Sequence, residues 1–424
     1  MNQREKRSAA AVLFATYICM EVIFVAGSVS GPTWQAVFRL SNAQLGMALG
    51  AAQIGILIAS LLAGRITDRH GPVRILSIAV SGILVSLAVL ASAVGFPMLL
   101  LGLAGFGVGA ALTANAGVTL LSVVFAGRMR RVMALASALW FGSSLVSGPV
   151  IGYWLDRSAL AGWTSWGFRL PFGVMVVLLA GCLFAIRRRF GGEDRHRTAG
   201  SDVAEAEAEP DASVAPASRE WMWIPFLGLC HGMLIITLIA WLNPMAQRVF
   251  GVSDFYGGLL FGVAALGVGS GRLLLAALSG RSSWDDRVIL ALSGSLGAVF
   301  LTIALMAPTF RLAFALTGLG AFCSSATAPC LFSLVADRFP AVRARLYGYM
   351  EASMAAAATG GTFFVGLLSD HGVPLRLAMG VSPLAASLLA AGALVWRHRS
   401  PAMPLPGSRA PRATRAPRQP RAPR

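Results

Sequence analysis

The chain has 424 residues, of which 56% are hydrophobic and only 12% are charged, and its formal net charge is +17 at pH 7. Soluble domains carry about 25% charged residues, and a soluble protein of this size still exposes a large surface to water. The composition therefore excludes an ordinary soluble domain and a disordered chain, and leaves an integral membrane protein. Most basic residues lie in short gaps between apolar runs, which is typical of membrane loops and not of nucleic-acid binding.

Twelve apolar runs of roughly 19 to 28 residues recur along the chain, and each is long enough to span a bilayer as a helix. They lie near 9–30, 43–63, 73–95, 98–125, 132–154, 168–186, 221–243, 256–279, 288–306, 311–334, 346–368 and 375–396. The first run follows basic residues, as a secretory signal would, but it is too long for one and is expected to remain as the first helix. The sequence thus predicts an all-α integral membrane fold with twelve transmembrane helices.

The distribution of basic residues predicts the orientation. With the N-terminus inside, the inside segments before the C-terminal tail hold 20 Lys and Arg, whereas the outside loops hold 6. Because basic loops stay on the cytoplasmic side, we expect a multi-pass protein of the inner (plasma) membrane with both termini in the cytoplasm.

The cysteines and the reactive side chains indicate no metal, no cofactor and no enzyme. All five cysteines fall inside apolar runs, with no Cys-x-x-Cys or Cys/His ligand cluster among them: Cys19, Cys182, Cys230, Cys323 and Cys330. They are expected to be small buried hydrophobic residues. No nucleophile–base pair is visible either.

The sequence divides into two related halves. A shift of 212 positions aligns residues 32–69 with 244–281 and gives 12 identities over 38 positions, including Pro, Gln and Ser in register. Each half holds an even number of runs, so the two six-helix repeats are parallel, and such repeats place a site near the membrane midplane between them.

The predicted domain boundaries follow from composition. The N-terminal six-helix bundle is 1–186, and the C-terminal bundle is 221–396. Residues 187–220 between them are first basic and then acidic, with Ala, Ser and Pro, and are predicted to be a cytoplasmic linker. Residues 397–424 form a Pro/Arg tail, expected to be disordered and attracted to anionic lipids.

One loop motif resembles a known family. The second and third runs are joined by Gly64-Arg-Ile-Thr-Asp68-Arg69-His-Gly71-Pro-Val-Arg74. This resembles the G-x-x-x-D-R-x-G-R-R motif of the major facilitator superfamily of secondary transporters, with the closing basic residue one place late. The resemblance covers the whole chain, with its twelve helices, central linker and repeat.

In that family the loop latches the two halves at the cytoplasmic face, which implies a gating role for the matching residues: Gly64, Asp68, Arg69, Gly71 and Arg74. The second copy keeps Arg281 but has Gly280 where the first has the acid. Glu351 is expected to join this gate by pairing with Arg69 or Arg74, or else to pair with Arg272. The alternative is a basic loop that only sets the topology.

A second motif lies in the fifth run, where Gly148-Pro149-Val-Ile-Gly152 is similar to a segment of proton-driven exporters of the superfamily. Ser144 stands where an earlier glycine of that segment is expected. The alternative interpretation is a helix kink with small residues that allow close helix packing.

Few ionisable residues lie inside the predicted helices: Glu21, Arg272, Glu351 and His231. An ion at the centre of a membrane helix costs roughly 2.5–3.5 kcal/mol, so such residues usually face a cavity or a partner. Glu21 is predicted to carry a proton, because a carboxyl group loads and releases one as its exposure alternates. The alternative is a structural ion pair or a neutral buried acid.

Arg272 resembles the arginine that carboxylate porters of the superfamily carry on the same helix, and its planar fork can bind a carboxylate in two places. The alternative is internal pairing with Glu351 or Glu21. The 212 shift places His231 opposite Cys19, near Glu21, so His231 is predicted to reach the same cavity or else to be a packed polar residue. Further lining is expected from Gln53, Asn115 and Trp140.

The sequence predicts a monomeric secondary transporter that moves a small organic solute, of the carboxylate-anion type, in symport with protons by alternating access. Its partners are the solute, protons and the lipid bilayer, without nucleic acid. The alternatives are a drug/proton antiporter, in which Glu21 attracts a lipophilic cation and Arg272 is structural, and a non-transporting membrane sensor on the same fold.

Overall fold

The computed structural model describes residues 3–124, 129–190, 219–278, 285–339 and 343–396. Twelve long helices account for most of them: α1 Gln3–Val29, α2 Asn42–His70, α3 Pro72–Ala91, α4 Phe96–Val124, α5 Met129–Leu160, α6 Arg169–Phe190, α7 Trp223–Phe250, α8 Asp254–Leu278, α9 Asp286–Met306, α10 Phe310–Ser324 continued by Thr327–Arg338, α11 Arg343–Asp370, and α12 Val381–Val395. Shorter helical segments are Gly31–Phe38, Thr164–Gly167, Arg219–Met222 and Leu375–Ala378.

The all-α membrane fold is confirmed. Eleven of the helical spans in the described chain are long and apolar enough to cross a membrane, and α5 is the long helix outside that set. With 32 residues, α5 is about 48 Å long at 1.5 Å per residue, which exceeds a hydrocarbon core of about 30 Å. Because α5 also packs lengthwise against α1 and α8, it completes the predicted twelve.

The helices of the two halves pair in the same order, which confirms two parallel six-helix repeats. In the first half α2 packs on α4, α3 on α4 and α6, and α1 on α5 and α6. In the second half α8 packs on α10, α9 on α10 and α12, and α7 on α11 and α12. Each helix contact of the first half therefore has a counterpart in the second half, between the two helices whose numbers are higher by six.

The predicted linker and tail lie almost entirely outside the described residues, so the proposed domain limits stay a prediction. At the linker, α6 continues to Phe190 and the segment Arg219–Met222 precedes α7.

Local sequence signals account for the helix boundaries at both ends of α2. Ser41 and Gln44 form a reciprocal capping box at its start, in which the Ser41 hydroxyl accepts a hydrogen bond from the backbone N–H of Gln44 at 3.2 Å. Such a cap satisfies backbone groups that lack an intrahelical partner. At its other end Gly71 has a φ of +81°, a value that favours glycine, and Pro72 follows as the first residue of α3. The glycine of the loop motif is therefore required by the backbone of this turn.

The halves meet along two symmetric helix pairs, α2 with α11 and α5 with α8, and α1 also contacts α7. We call the face at which α1 begins and α12 ends the terminal face, and the opposite one the distal face. Towards the distal face Gly148 and Gly258 pack backbone to backbone, so that a Cβ on either would clash with the carbonyl of the other. The close-packing interpretation of the Gly-Pro segment in α5 therefore explains Gly148.

Hydrogen bonds also join the halves near the distal ends of α1 and α7. The Ser28 hydroxyl donates to the Ile239 carbonyl at 3.2 Å, and the Asn243 amide donates to the Val29 carbonyl at 2.5 Å. Ser28 and Asn243 are buried. The molecule is therefore closed at the distal face.

Candidate functional site

Glu21 lies in the interior of α1 and is 6% exposed. The Ser144 hydroxyl, on α5, donates a hydrogen bond to Glu21 Oε1. Because a buried polar group without a partner is costly, this contact explains how a carboxyl group is accommodated in the first half. The sequence analysis did not predict this partner, although Ser144 is the residue that departs from the glycine pattern of the exporter segment.

Aromatic side chains lie on the face of α1 that carries Glu21, because Tyr17 and Phe24 are four residues before it and three after it. Tyr17, one helical turn before Glu21, has its ring centroid 6.2 Å from that of Trp140, and Phe24 lies 6.4 Å from Trp140 on the other side. The Tyr17 hydroxyl donates to the Ala114 carbonyl of α4 at 3.4 Å. Trp140, predicted as lining, therefore lies beside Glu21 between α1 and α5.

Arg272 of α8 has no carboxylate partner among the residues that the structure describes. Its guanidinium carbon lies 4.9 Å from the centre of the Phe141 ring, across the boundary between the halves. Its Nε is buried and has no hydrogen-bond partner. Asp285–Arg287 is the single ion pair in the part of the chain that the structure describes, so the internal pairing of Arg272 with Glu21 or Glu351 is not formed.

His231 of α7 is 6% exposed and contacts α10. Its Nδ1 lies 2.7 Å from the Thr327 hydroxyl, which itself donates to the Ser324 carbonyl at 2.8 Å. Because the hydroxyl proton is used in that second bond, the Thr327 oxygen accepts from a protonated Nδ1. Arg272 belongs to α8, which also packs against α10, so both groups lie in the second half on helices that contact α10.

One turn of α5 connects the acid with the guanidinium group. Phe141 and Ser144 are three residues apart, and side chains at that spacing lie on the same face of a helix. Arg272 rests on Phe141 while Glu21 is bonded to Ser144. The structure thus brings Glu21, Trp140 and Arg272 to one helical turn. Phe141 and Thr327 were missed because nothing in the sequence distinguishes them from ordinary packing residues.

Two predicted lining residues stand apart from this cluster. Gln53 of α2 is 8% exposed, and Asn115 of α4 is half-buried. The Asn115 carbonyl accepts from the Thr119 hydroxyl at 3.0 Å, which is a bond within its own helix. Neither amide hydrogen-bonds to Glu21, His231 or Arg272, so their role as lining stays a prediction.

The loop residues predicted to gate lie at the terminal face. Arg69 and Arg74 are exposed, and so is Glu351 of α11. Among the described residues Glu351 forms no ion pair with Arg69, Arg74 or Arg272, so its role in the gate stays a prediction.

The structure gives less information about the other residues of the loop motif and its second copy. Gly64 is half-buried and no atom would contact a Cβ added to it. The side chain of Asp68 and all of Arg281 lie outside the described residues. Gly71 has the turn role given above. In the described chain, no group of three or more His, Cys, Asp or Glu could hold a metal ion.

Comparisons with known proteins agree with this architecture. The sequence model of the Major Facilitator Superfamily matches residues 10–301, and no curated protein sequence matches the chain. The solved structure of the xylose transporter XylE from E. coli, in an inward-open conformation, has 15% identity and a TM-score of 0.73, over 94% of this chain and 98% of that one.

Two further solved structures are similar. A bacterial homologue of the human lysosomal transporter Spinster, inward-facing and occupied, has 17% identity and a TM-score of 0.67, over 92% of this chain and 96% of that one. The E. coli fucose:proton symporter FucP has 16% identity and a TM-score of 0.59, over 92% and 98%. At these identities the structural likeness establishes the fold, and the family match covers more than half of the chain. The chain is therefore a multi-pass membrane transporter, not an enzyme, and it belongs to the Major Facilitator Superfamily.

Proposed function

We propose that this transporter moves a small organic anion bearing a carboxylate group, together with a proton, by alternating access between the two halves. The observation that carries the proposal is Arg272, a guanidinium group inside a membrane helix whose Nε is buried without a hydrogen-bond partner and which has no carboxylate partner among the described residues. A cation in this environment is costly unless an anion joins it. The transported solute is the partner that Arg272 lacks.

The geometry around Arg272 favours a carboxylate as that partner. The Phe141 ring lies against the guanidinium group at 4.9 Å, which restrains it while leaving the edge of its planar fork for a ligand. Arginine binds carboxylates through two parallel N–H···O bonds, which a lysine cannot reproduce. His231, held by Thr327 of α10, is a second buried polar group of the second half, and α10 also packs against the helix of Arg272.

Glu21 supplies the proton site of this mechanism. Its carboxyl group is buried, and Ser144 is its hydrogen-bond donor, so it can hold a proton in the closed passage and release it when water reaches α1. Because Ser144 and Phe141 belong to one turn of α5, a movement of that turn reaches the proton site and the anion site together. This shared turn is the basis we propose for coupling.

The proposed orientation places the terminal face in the cytoplasm of a cell's inner membrane. The predicted excess of basic residues on that side supports it. Because the distal face is closed, this conformation then corresponds to the inward-facing member of the cycle.

A drug/proton antiporter is the second candidate, and one observation favours it. Tyr17 and Phe24, which flank Glu21 on its face of α1, both pack near the Trp140 ring, and aromatic rings near a carboxylate suit a lipophilic cation. In that case Arg272 would be a structural cation held by Phe141.

The deciding experiment measures flux in proteoliposomes for a panel of radiolabelled carboxylates and for lipophilic cations. Carboxylate transport predicts that Arg272→Lys, which keeps the charge and loses the fork, abolishes carboxylate uptake. Drug antiport predicts that Arg272→Lys has little effect, whereas Glu21→Gln abolishes cation efflux.

Arg376→Lys is the matched control for this experiment, because Arg376 rests on Phe250 with nearly the same geometry, at 5.1 Å, in a part of the second half away from the site. It should leave either flux unchanged. If no solute in the panel moves and neither site variant has an effect, the non-transporting sensor is favoured and the proposal fails.

A further inference from the structure

We propose that Asp156 and Asp370 are the two clasps of the distal gate, each closing it by capping a helix of the opposite half. Asp370, the last residue of α11, accepts the backbone N–H groups of Asn42 and Ala43 at the start of α2, at 2.8 Å each. Asp156, near the end of α5, accepts those of Asp254 and Phe255 at the start of α8, at 3.0 Å each. In both cases the two carboxylate oxygens each take one donor.

The two clasps are copies of one arrangement. Asn42 and Ala43 lie 212 positions before Asp254 and Phe255, the same shift that aligns the repeats in the sequence. The first clasp runs from α11 to α2, and the second from α5 to α8, which are the two symmetric helix pairs between the halves. Because the same contact forms twice in separate parts of the chain, it is a property of the gate and not of a single loop.

Helix geometry explains why a carboxylate performs this role. The first backbone N–H groups of a helix have no intrahelical acceptor, and the helix dipole places partial positive charge there. A carboxylate offers two charged acceptors at the spacing of consecutive N–H groups. When the distal face opens, each carboxylate leaves the helix of the other half, so these bonds favour the closed state selectively.

Side-chain amides hold the capped helix starts in place, again in two copies. The Gln35 amide donates to Asn42 Oδ1 at 3.0 Å, and the Gln247 amide donates to Asp254 Oδ1. Gln35 and Gln247 are among the identities of the 212 shift. Arg248 of α7 donates to Asn42 Oδ1 at 2.6 Å and so links α7 to the first clasp.

The proposal does not depend on which solute is transported, because it concerns the balance between two conformations of the protein. Loss of a clasp removes contacts made in the distal-closed state and leaves the two halves themselves intact. The expected consequence is a larger population of molecules open at the distal face.

Maleimide labelling of Ser28→Cys measures this population. Ser28 is 7% exposed and bonded to α7 across the closed interface, so its thiol becomes reactive when the distal face opens. The protein carries Ala at the five native cysteines and is reconstituted in nanodiscs, where the reagent reaches both faces. We expect Asp156→Asn and Asp370→Asn each to raise the labelling rate, and the double variant to raise it about tenfold, a change that corresponds to about 1.4 kcal/mol.

Two controls separate gate opening from unfolding. Ser86→Cys reports on the interior of the first half, because Ser86 is buried between α3 and Gly105 of α4. Asp285→Asn removes a carboxylate that caps the start of its own helix, α9, within one half. The proposal expects no increase in labelling at Ser86→Cys in any clasp variant, and none at Ser28→Cys with Asp285→Asn.

The proposal is overturned if labelling of Ser28→Cys stays unchanged in both single variants and in the double variant. It is equally overturned if labelling at Ser28→Cys and at Ser86→Cys rises together, because the two carboxylates would then support folding and not the gate.

Discussion

The two halves treat their buried ionisable groups differently. In the first half Glu21 is satisfied by a donor, the Ser144 hydroxyl. In the second half Arg272 has an aromatic ring against it, yet its Nε has no acceptor. A carboxyl group that is already partnered can exchange a proton without a ligand, whereas a cation without an acceptor requires one. This difference is the reason for the proposal that the acid serves the coupling ion and the guanidinium group serves the solute.

A comparison within the second half leads to the same conclusion. Arg287, at the start of α9, is paired with Asp285 at 2.6 Å and also donates to the Trp396 carbonyl. Arg272, one helix earlier, has no ion pair within the described part of the chain, and its Nε has no acceptor. In the described part of the chain, the partly exposed Arg287 is thus paired, whereas Arg272, whose Nε is buried, has no carboxylate partner.

Supplying Arg272 with a partner of its own should have the largest effect. Phe141→Glu places a carboxylate where the ring now contacts the guanidinium group, so an incoming anion must displace it. Hydrogen bonds to a charged group contribute about 1.5–3 kcal/mol, which predicts a loss of affinity of about 100-fold. Carboxylate binding by isothermal titration measures it.

Phe141→Gln is the matched control for that substitution, because a glutamine side chain has the size and shape of glutamate and carries no charge. It should weaken binding far less than Phe141→Glu does. Equal affinities in the two variants would mean that Arg272 is not the anion site.

Removing the donor to the acid should have a smaller effect, confined to coupling. Ser144→Ala leaves Glu21 buried without its hydrogen bond, which costs about 1 kcal/mol. We expect proton-driven accumulation of the solute to fall about fivefold while solute counterflow is unchanged. Parallel accumulation and counterflow assays in proteoliposomes distinguish the two.

Ser144→Thr keeps the hydroxyl and should retain most of the accumulation. A counterflow rate that falls in step with accumulation in Ser144→Ala would contradict the assignment of Glu21 to the proton.

Removing the hydrogen-bond partner of His231 should have a still smaller effect on transport. Thr327→Val removes the acceptor of the Nδ1 proton and leaves a buried donor unsatisfied, at a cost of about 1–3 kcal/mol in stability. We expect a thermal midpoint lower by several degrees, and solute affinity reduced only a few-fold. Differential scanning fluorimetry and binding measurements test both, with Thr327→Ser as the variant that keeps the hydroxyl. An unchanged thermal midpoint would mean that the hydrogen bond between His231 and Thr327 does not stabilise the protein.

Breaking the ion pair between Asp285 and Arg287 should have the smallest effect. Asp285→Asn should leave transport unchanged and lower stability by less than about 1 kcal/mol, as exposed ion pairs do. The hydrogen bond from Arg287 holds the pKa of the Asp285 carboxyl below its usual range. This stabilisation is therefore present above the ordinary aspartate value of about 3.9, and it is lost as pH falls through the lower, folded-state value.

Thermal melts of both proteins across acidic pH test the sign of this dependence. The difference between wild type and Asp285→Asn should disappear towards low pH. A difference that grows on acidification, or a loss of transport, would contradict the structural role of this pair.

Hydropathy and charge were sufficient to predict the membrane fold, because lipid restricts a spanning segment to a helix and selects for apolar runs of one length. The 212 shift predicted the parallel repeats, and its Gln35 and Gln247 lie in the same place in both copies of the distal gate. The spans of α10 and α12 are less regular than predicted, with breaks at 325–326 and 379–380, which hydropathy does not register.

Side-chain partners were predicted less well than helices. The cost of burying a charge made Glu21, Arg272 and His231 candidates, and their roles stay predictions. The ion pairs considered for Arg272 and Glu351 are not formed among the described residues. The energetic cost of burying a charge predicts that the charge has a partner. Which residue is the partner depends on how the helices are rotated against each other in the fold. Asp156 and Asp370 were missed for the same reason, since the backbone groups that they cap lie about 100 and 328 positions away in sequence.

The most direct test of the account follows solute and protons together in proteoliposomes, with a radiolabelled carboxylate and a pH-sensitive dye inside the vesicles. We predict that wild type takes up carboxylate and protons in a fixed ratio, that Arg272→Lys moves neither, and that Glu21→Gln exchanges carboxylate without moving protons. Proton movement that persists with the solute in Glu21→Gln, or carboxylate uptake that persists in Arg272→Lys, would contradict the division of roles between the two halves.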